Sequence, residues 1–172
     1  TFEPAETQHT PAEMAAAAEA LVALLDPQQQ GRLLHPLDSD ERREWTNLPS
    51  FNDPAGLRLG DLNQPQMQAA CQLMSTLLSG QGYRKMRDIM LADDQLLDRG
   101  RARDGFGTEC FYLVLFGKPS AEDPWAFQLD GHHIGLNVAI SGKNYSLSPS
   151  FIGTQPQTYR LGTRNMRPLT GE

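Results

Sequence analysis

Two of the four histidines of this chain stand side by side in the triplet Gly131-His132-His133, inside the apolar run from Trp125 to Ile140. Imidazole titrates closest to neutral pH and is also a frequent metal ligand. An adjacent pair in a segment patterned for burial therefore points to proton transfer or metal ligation. Few partners are available to it. Glu109 opens the apolar run ending at Phe116, where an ionised carboxylate is costly unless paired; the alternative is a strand-end residue in water. Asp130 is placed to orient an imidazole through its ring N–H, or simply to form a turn with Gly131. His35, next to Pro36, either approaches the pair in space or lies in an exposed loop.

Strand parity separates the two rings. In a regular extended run His132 shares a face with Ile134, Leu136, Val138 and Ile140, and His133 shares the other with Gly135, Asn137 and Ala139. Gly135 then leaves open space beside His133, as a ligand or a close backbone would require. A bulge at Gly131 would redirect His132. His132, His133 and Glu109 together suit a divalent transition metal with open positions. Against that reading, adjacent residues on opposite strand faces rarely ligate one ion.

Competing chemistries have less support. Ser120, Ser141, Ser148 and Ser150 lie in turn-like contexts, and the chain has no G-x-S-x-G elbow, P-loop or dinucleotide fingerprint. Neither a CxxC motif nor a Cys/His zinc pattern occurs, and Cys71 and Cys110 read as buried free thiols rather than a bridge. Arg42 and Arg43 with Trp45 form either an anion or ring clamp or a charged helix face with one anchoring aromatic. The stretch from Asp98 to Gly105 mixes three arginines with two aspartates and reads as a solvated loop.

The elements that must position these residues follow from pattern. Thr10-Pro11-Ala12-Glu13 has the form of a capping box, and Met14, Ala18, Leu21 and Leu25 continue on one face of a helix ending near Asp26-Pro27. A short charged helix is expected over Asp40 to Trp45, a longer one from about Pro65 to Ser79, and another from about Tyr83 to Asp98, with Gly80-Gln81-Gly82 between the last two as a tight helical hairpin. From Thr108 the period changes. Strands are expected over Glu109 to Phe116, Trp125 to Asp130 and His132 to Ile140, the last two joined by a bend or bulge at Gly131. A turn at Ser141 to Asn144 then leads into Tyr145 to Leu147. The sum is an α+β domain of residues 1–172, with a helical part at about 10–100 packed on an antiparallel meander at about 106–161.

At 172 residues the chain suits one domain that buries roughly two thirds of its unfolded surface. Its 15 Lys and Arg against 21 Asp and Glu, a net charge of −6, leave no broad footprint for nucleic acid. The longest apolar stretch, Ala15 to Leu25, is too short to span a membrane. A start at Thr1 fits a removed signal peptide, a trimmed chain or a fragment equally well.

Several ordered pieces together resemble a known family. They are Arg42 and Arg43 followed by Trp45 and Pro49; Gly82-Tyr83; Leu115 to Ser120; Trp125; Gly131-His132-His133; and Pro149 to Gly153 followed by Pro156. The set is similar to family 3500 of the domains of unknown function, over about Met14 to Glu172. The resemblance implies a fold neighbourhood and no reaction. It also implies export to the periplasm or outside the cell, and a longer chain in which a C-terminal part or a second chain completes the fold. Under it Trp125 walls one side of the histidine pocket and Asn137 supplies a neutral hydrogen-bonding group, a form usual for small-molecule sites.

The leading expectation is an enzyme, hydrolytic or metal-assisted, with His133 as general base or ligand, His132 as second ligand or orienter, and Glu109 as carboxylate partner. Trp125, Asn137, Asp130 and Arg43 are the expected ligand-binding residues. The runner-up is an exported module that binds a small molecule or peptide without catalysis. A third reading makes the histidines core structure only.

Overall fold

The computed structural model describes residues 9–49, 54–97 and 105–170. Four helices precede most of a mixed sheet, giving the expected α+β architecture. Three of the helices start the same way. Helix α1 (Pro11–Leu24) is capped by Thr10, α2 (Pro27–Leu33) by Asp26 and α3 (Gln64–Leu77) by Asn63. In each case the cap side chain accepts the N3 amide, the N3 side chain returns to the cap amide, and proline lies in the first turn. Helix α2 was not anticipated, although Asp26-Pro27-Gln28-Gln29 repeats the form of Thr10 to Glu13. The N3 residues Gln29 and Gln66 also bond to each other, Gln66 Nε2 to Gln29 Oε1 at 2.8 Å and Gln29 Nε2 to Gln66 Oε1 at 3.2 Å, while Gln66 Nε2 also donates to the Leu24 carbonyl at 2.9 Å. One amide pair thus satisfies backbone groups at three helix ends.

Helix α4 (Gly80–Leu96) follows α3 through Leu78 and Ser79, and Ser79 Oγ accepts the Gly82 N–H. The short charged helix expected over Asp40 to Trp45 is a 3-10 turn of residues Asp40–Arg43. Most of the Asp98 to Gly105 arginine stretch, and the last residue expected for the fourth helix, lie outside the described residues.

The sheet is built on β3 (Tyr112–Phe116), β4 (Trp125–Gly131) and β5 (Ile134–Ser141), antiparallel neighbours in that order. Short strands flank them. β1 (Leu34–His35) and β2 (Leu57–Arg58) share the outer edge of β3, and β1 runs parallel to it, so the sheet is not purely antiparallel. β6 (Asn144–Ser146) and β7 (Ser150–Ile152) share the outer edge of β5. A separate ribbon, β8 (Tyr159–Leu161) with β9 (Arg164–Met166), is tied to α4 by Tyr159, whose hydroxyl donates to the Asp88 carbonyl at 3.1 Å.

Alternation decides what each sheet face meets. Leu113, Leu115, Phe127, Leu129, Leu136 and Val138 line up across the three central strands and pack with Ala18, Leu21, Ala70, Leu73 and Leu77 of the helices. The other face presents Val114, Phe116 and Ala126 beside the polar row Gln128, Asp130 and Asn137, with Leu37 packed against its apolar part. Trp45 closes this face over Gly135, where a Cβ would come 2.5 Å from the indole. The space expected beside Gly135 is therefore occupied by an aromatic ring from the same chain.

That contact predicts the cost of a methyl group. Gly135→Ala should destabilise the protein by about 1–3 kcal/mol through overpacking, measured by urea unfolding. In a Trp45→Ala background the same change should cost less, because the obstructing ring is gone.

Candidate functional site

His132 and His133 do not alternate along a strand. Gly131 pairs with Ile134, so the two histidines are the whole loop of a two-residue β-hairpin joining β4 to β5. Strand parity has no meaning there, and the expected bend at Gly131 falls one residue later. His133 alone among the described non-glycine residues has positive φ, at 66°. A turn left-handed only at its second position is neither of the primed types that match strand twist. It must therefore be held from outside. The His133 N–H donates to the Asn47 carbonyl at 2.9 Å, and the His133 carbonyl accepts the Gly153 N–H at 2.7 Å. Gly153 has to be small, since a Cβ there would lie 3.0 Å from His133 Nδ1.

His132 is 6% exposed, and its Nδ1 is 2.5 Å from Oδ1 of Asp93, itself 2% exposed, on the last turns of α4. The second Asp93 oxygen accepts the Gly107 N–H at 2.7 Å, and neighbouring Asp94 accepts the Thr108 N–H at 2.6 Å. Both oxygens of a buried carboxylate are thus used, as its burial demands. An ionised carboxylate only accepts, so the pairing places the proton on His132 Nδ1. Gly107, at φ 90°, allows this close approach, because a Cβ would meet Leu97 at 2.8 Å. Phe106 packs its ring edge-on against His132 at 4.9 Å between centroids.

The His133 ring stacks on His132 with centroids 3.9 Å apart and planes 32° apart. Burial first, and then the positive charge on His132, hold the His133 pKa below its ordinary value, partly countered by Gln155 and Asp93. His133 Nε2 is 3.4 Å from Gln155 Oε1, and an amide serves a ring nitrogen in either protonation state. The loop that clamps His133 continues as Thr154, Gln157 and Thr158. Together with Arg167, Leu169 and Thr170 these line a polar cavity of about 470 Å³.

Asp93 was not anticipated as a partner, though a signal existed. It continues the inward stripe Met86, Ile89, Met90 at helical spacing, and a carboxylate on a buried stripe requires a partner. Glu109 occupies no strand. It lies on a 3-10 turn, 74% exposed, with Oε2 3.3 Å from Arg58, and it is not brought to the histidines. His35 sits beside Phe116, four residues along β3 from Tyr112, roughly 13 Å from the histidine end of the sheet. Its Nε2 is 3.1 Å from the Arg32 carbonyl.

Trp125 walls no histidine pocket. It is fully buried at the far end of β4 and donates to the Ser120 carbonyl at 2.9 Å. Asn137 is held within the sheet, accepting from Gln128 at 2.7 Å and donating to the Pro149 carbonyl at 2.9 Å. Arg43 is 86% exposed and pairs with Asp40. Among the described residues no three His, Cys, Asp or Glu side chains are grouped to hold a metal ion. With His132 Nδ1 engaged by Asp93 and Glu109 elsewhere, the residues expected as ligands do not fit that role. Neither Cys71 nor Cys110 forms a disulfide, and both are half-buried.

Asp130 lies near the hairpin end on the second sheet face. One oxygen accepts the Thr46 N–H at 3.2 Å, and the other is buried without a partner among the described residues. Burial raises its pKa to about 7 from 3.8, the Thr46 bond opposing. Between those values the folded state keeps a proton that the unfolded chain has released, so this group's contribution to stability falls as pH rises. Asp130→Asn should therefore raise stability more at about pH 8 than at about pH 4 in urea unfolding. A larger gain on the acid side would contradict this assignment.

The chain matches the family described as "Protein of unknown function (DUF3500)" over residues 7–172. No curated protein and no solved structure matches the chain.

Proposed function

We propose that this chain, which belongs to the DUF3500 family, is a histidine acid–base enzyme of hydrolase-like chemistry centred on the β4–β5 turn. The observation that carries the reading is the stack of His133 on a ring whose Nδ1 is 2.5 Å from buried Asp93. Asp93 orients His132 and balances positive charge on it. His133, partly exposed and with a lowered pKa, is neutral at pH 7 and so ready to accept a proton. In the proposed reaction His133 takes a proton from an attacking water as its oxygen adds to an electrophilic centre, then returns that proton to the leaving group. His132 supplies positive charge where negative charge develops. The polar cavity lined by Thr154 and Arg167, formed in part by the loop whose Gly153 and Gln155 meet His133, suits a hydrogen-bonding or anionic substrate. That same cavity supports the alternative of a binding module without chemistry.

The two readings part on turnover. Against a panel of chromogenic esters, phosphoesters and glycosides, the enzyme reading expects saturable hydrolysis of at least one class. His133→Ala should then lower kcat by about 10²–10⁴-fold with the fold intact by circular dichroism. Asp93→Asn, which keeps shape but not charge, should also lower kcat. No turnover on any class, or equal turnover by wild type and His133→Ala, would remove the enzyme reading.

A further inference from the structure

Between α3 and α4, away from the histidine turn, lies a second cavity of about 220 Å³. Four of the chain's six methionines line it: Met67, Met74, Met86 and Met90. Cys71, Leu59 and Leu91 add to its apolar wall. Methionine is flexible and polarizable, and it is common on surfaces that adapt to varied apolar ligands. Concentrating two thirds of the methionines on one void is the composition of an adaptable pocket rather than of a tightly packed seam.

The rim of the cavity carries charge of a defined kind. Arg87 is exposed there and has no carboxylate at ion-pair distance among the described residues. Glu109, also on the rim, shares Arg58 with Asp61. Tyr83 lies against Cys71 at the same mouth. Arg87 is thus the rim charge without an ion-pair partner among the described residues, and it stands above an apolar chamber. A dry apolar cavity of about 150 Å³ is large enough for benzene, so this one takes a chain of roughly six to eight carbons or one substituted aromatic ring. The geometry points to a binding site for a small monocarboxylate, its apolar tail among the methionines and its carboxylate on Arg87.

Octanoate and octanol distinguish the two halves of the inference when titrated into the whole protein and followed by the methionine methyl resonances. Saturable octanoate shifts confined to Met67, Met74, Met86 and Met90, at least tenfold tighter than those for octanol, are expected. Arg87→Gln should weaken octanoate at least tenfold and leave octanol unchanged. Cys71→Phe should fill the chamber and abolish both; Met67→Phe serves the same purpose if the first variant does not fold. Failure of octanoate to saturate, equal affinity for octanol, or octanoate binding that survives a folded filling variant would each overturn the assignment.

Discussion

A carboxylate with almost no contact with water cannot remain ionised without partners, and the way Asp93 meets that demand organises one end of the molecule. Its two oxygens engage His132 Nδ1 and the Gly107 amide. Helix α4 is thereby tied both to the turn between the central strands and to the segment that leads into β3. Removing one member of such a buried pair typically costs about 3–5 kcal/mol, because the other is left uncompensated. Phe106, carried by the same segment, packs on the His132 ring. The orientation of His132, and through it the seat of His133, thus depends on a helix end distant in sequence.

The segment from Trp45 to Asn47 supports the same hairpin from the other side. Trp45 fills the hollow over Gly135, the Thr46 amide reaches Asp130, and the Asn47 carbonyl holds the His133 N–H. Three consecutive residues of an irregular connection therefore fix the polar end of β4, the small residue of β5 and the strained turn between them. Left-handed backbone is uncommon for a residue with a Cβ, so the turn relies on these external bonds and on the smallness of Gly153. The imidazole pair is pre-positioned by both layers of the fold, the arrangement that acid–base chemistry needs.

Much of the architecture was legible because it rests on local rules. The capping box at Thr10, the stripe of Met14, Ala18, Leu21 and Leu25 that follows it, and the apolar run that ends at Phe116 each declare their element through side chains close in sequence. Helix α2 was equally legible at Asp26 to Gln29, but a proline directly after the cap read as the end of α1 rather than the first turn of the next helix. The site was less legible, for a different reason. Alternation assigns faces only where backbone is extended, and whether Gly131-His132-His133 is strand or turn is settled by the Gly131 to Ile134 pairing, not by the triplet. Trp125 and His133 are close in sequence yet sit at opposite ends of one hairpin. Asp93 and His132, the pair that matters most, are 39 residues apart, and only the carboxylate's place on a buried stripe announced it.

The central claim is that Asp93 holds a proton on His132 Nδ1 beneath a His133 that stays neutral at physiological pH. Long-range proton–nitrogen NMR of the histidine side chains across a pH titration tests it most directly. The expected result is a His132 ring that carries its proton on Nδ1, facing Asp93, and a His133 midpoint below the ordinary histidine value of 6.5. A His132 ring that loses its Nδ1 proton while keeping that at Nε2, or a His133 midpoint at or above 6.5, would contradict it.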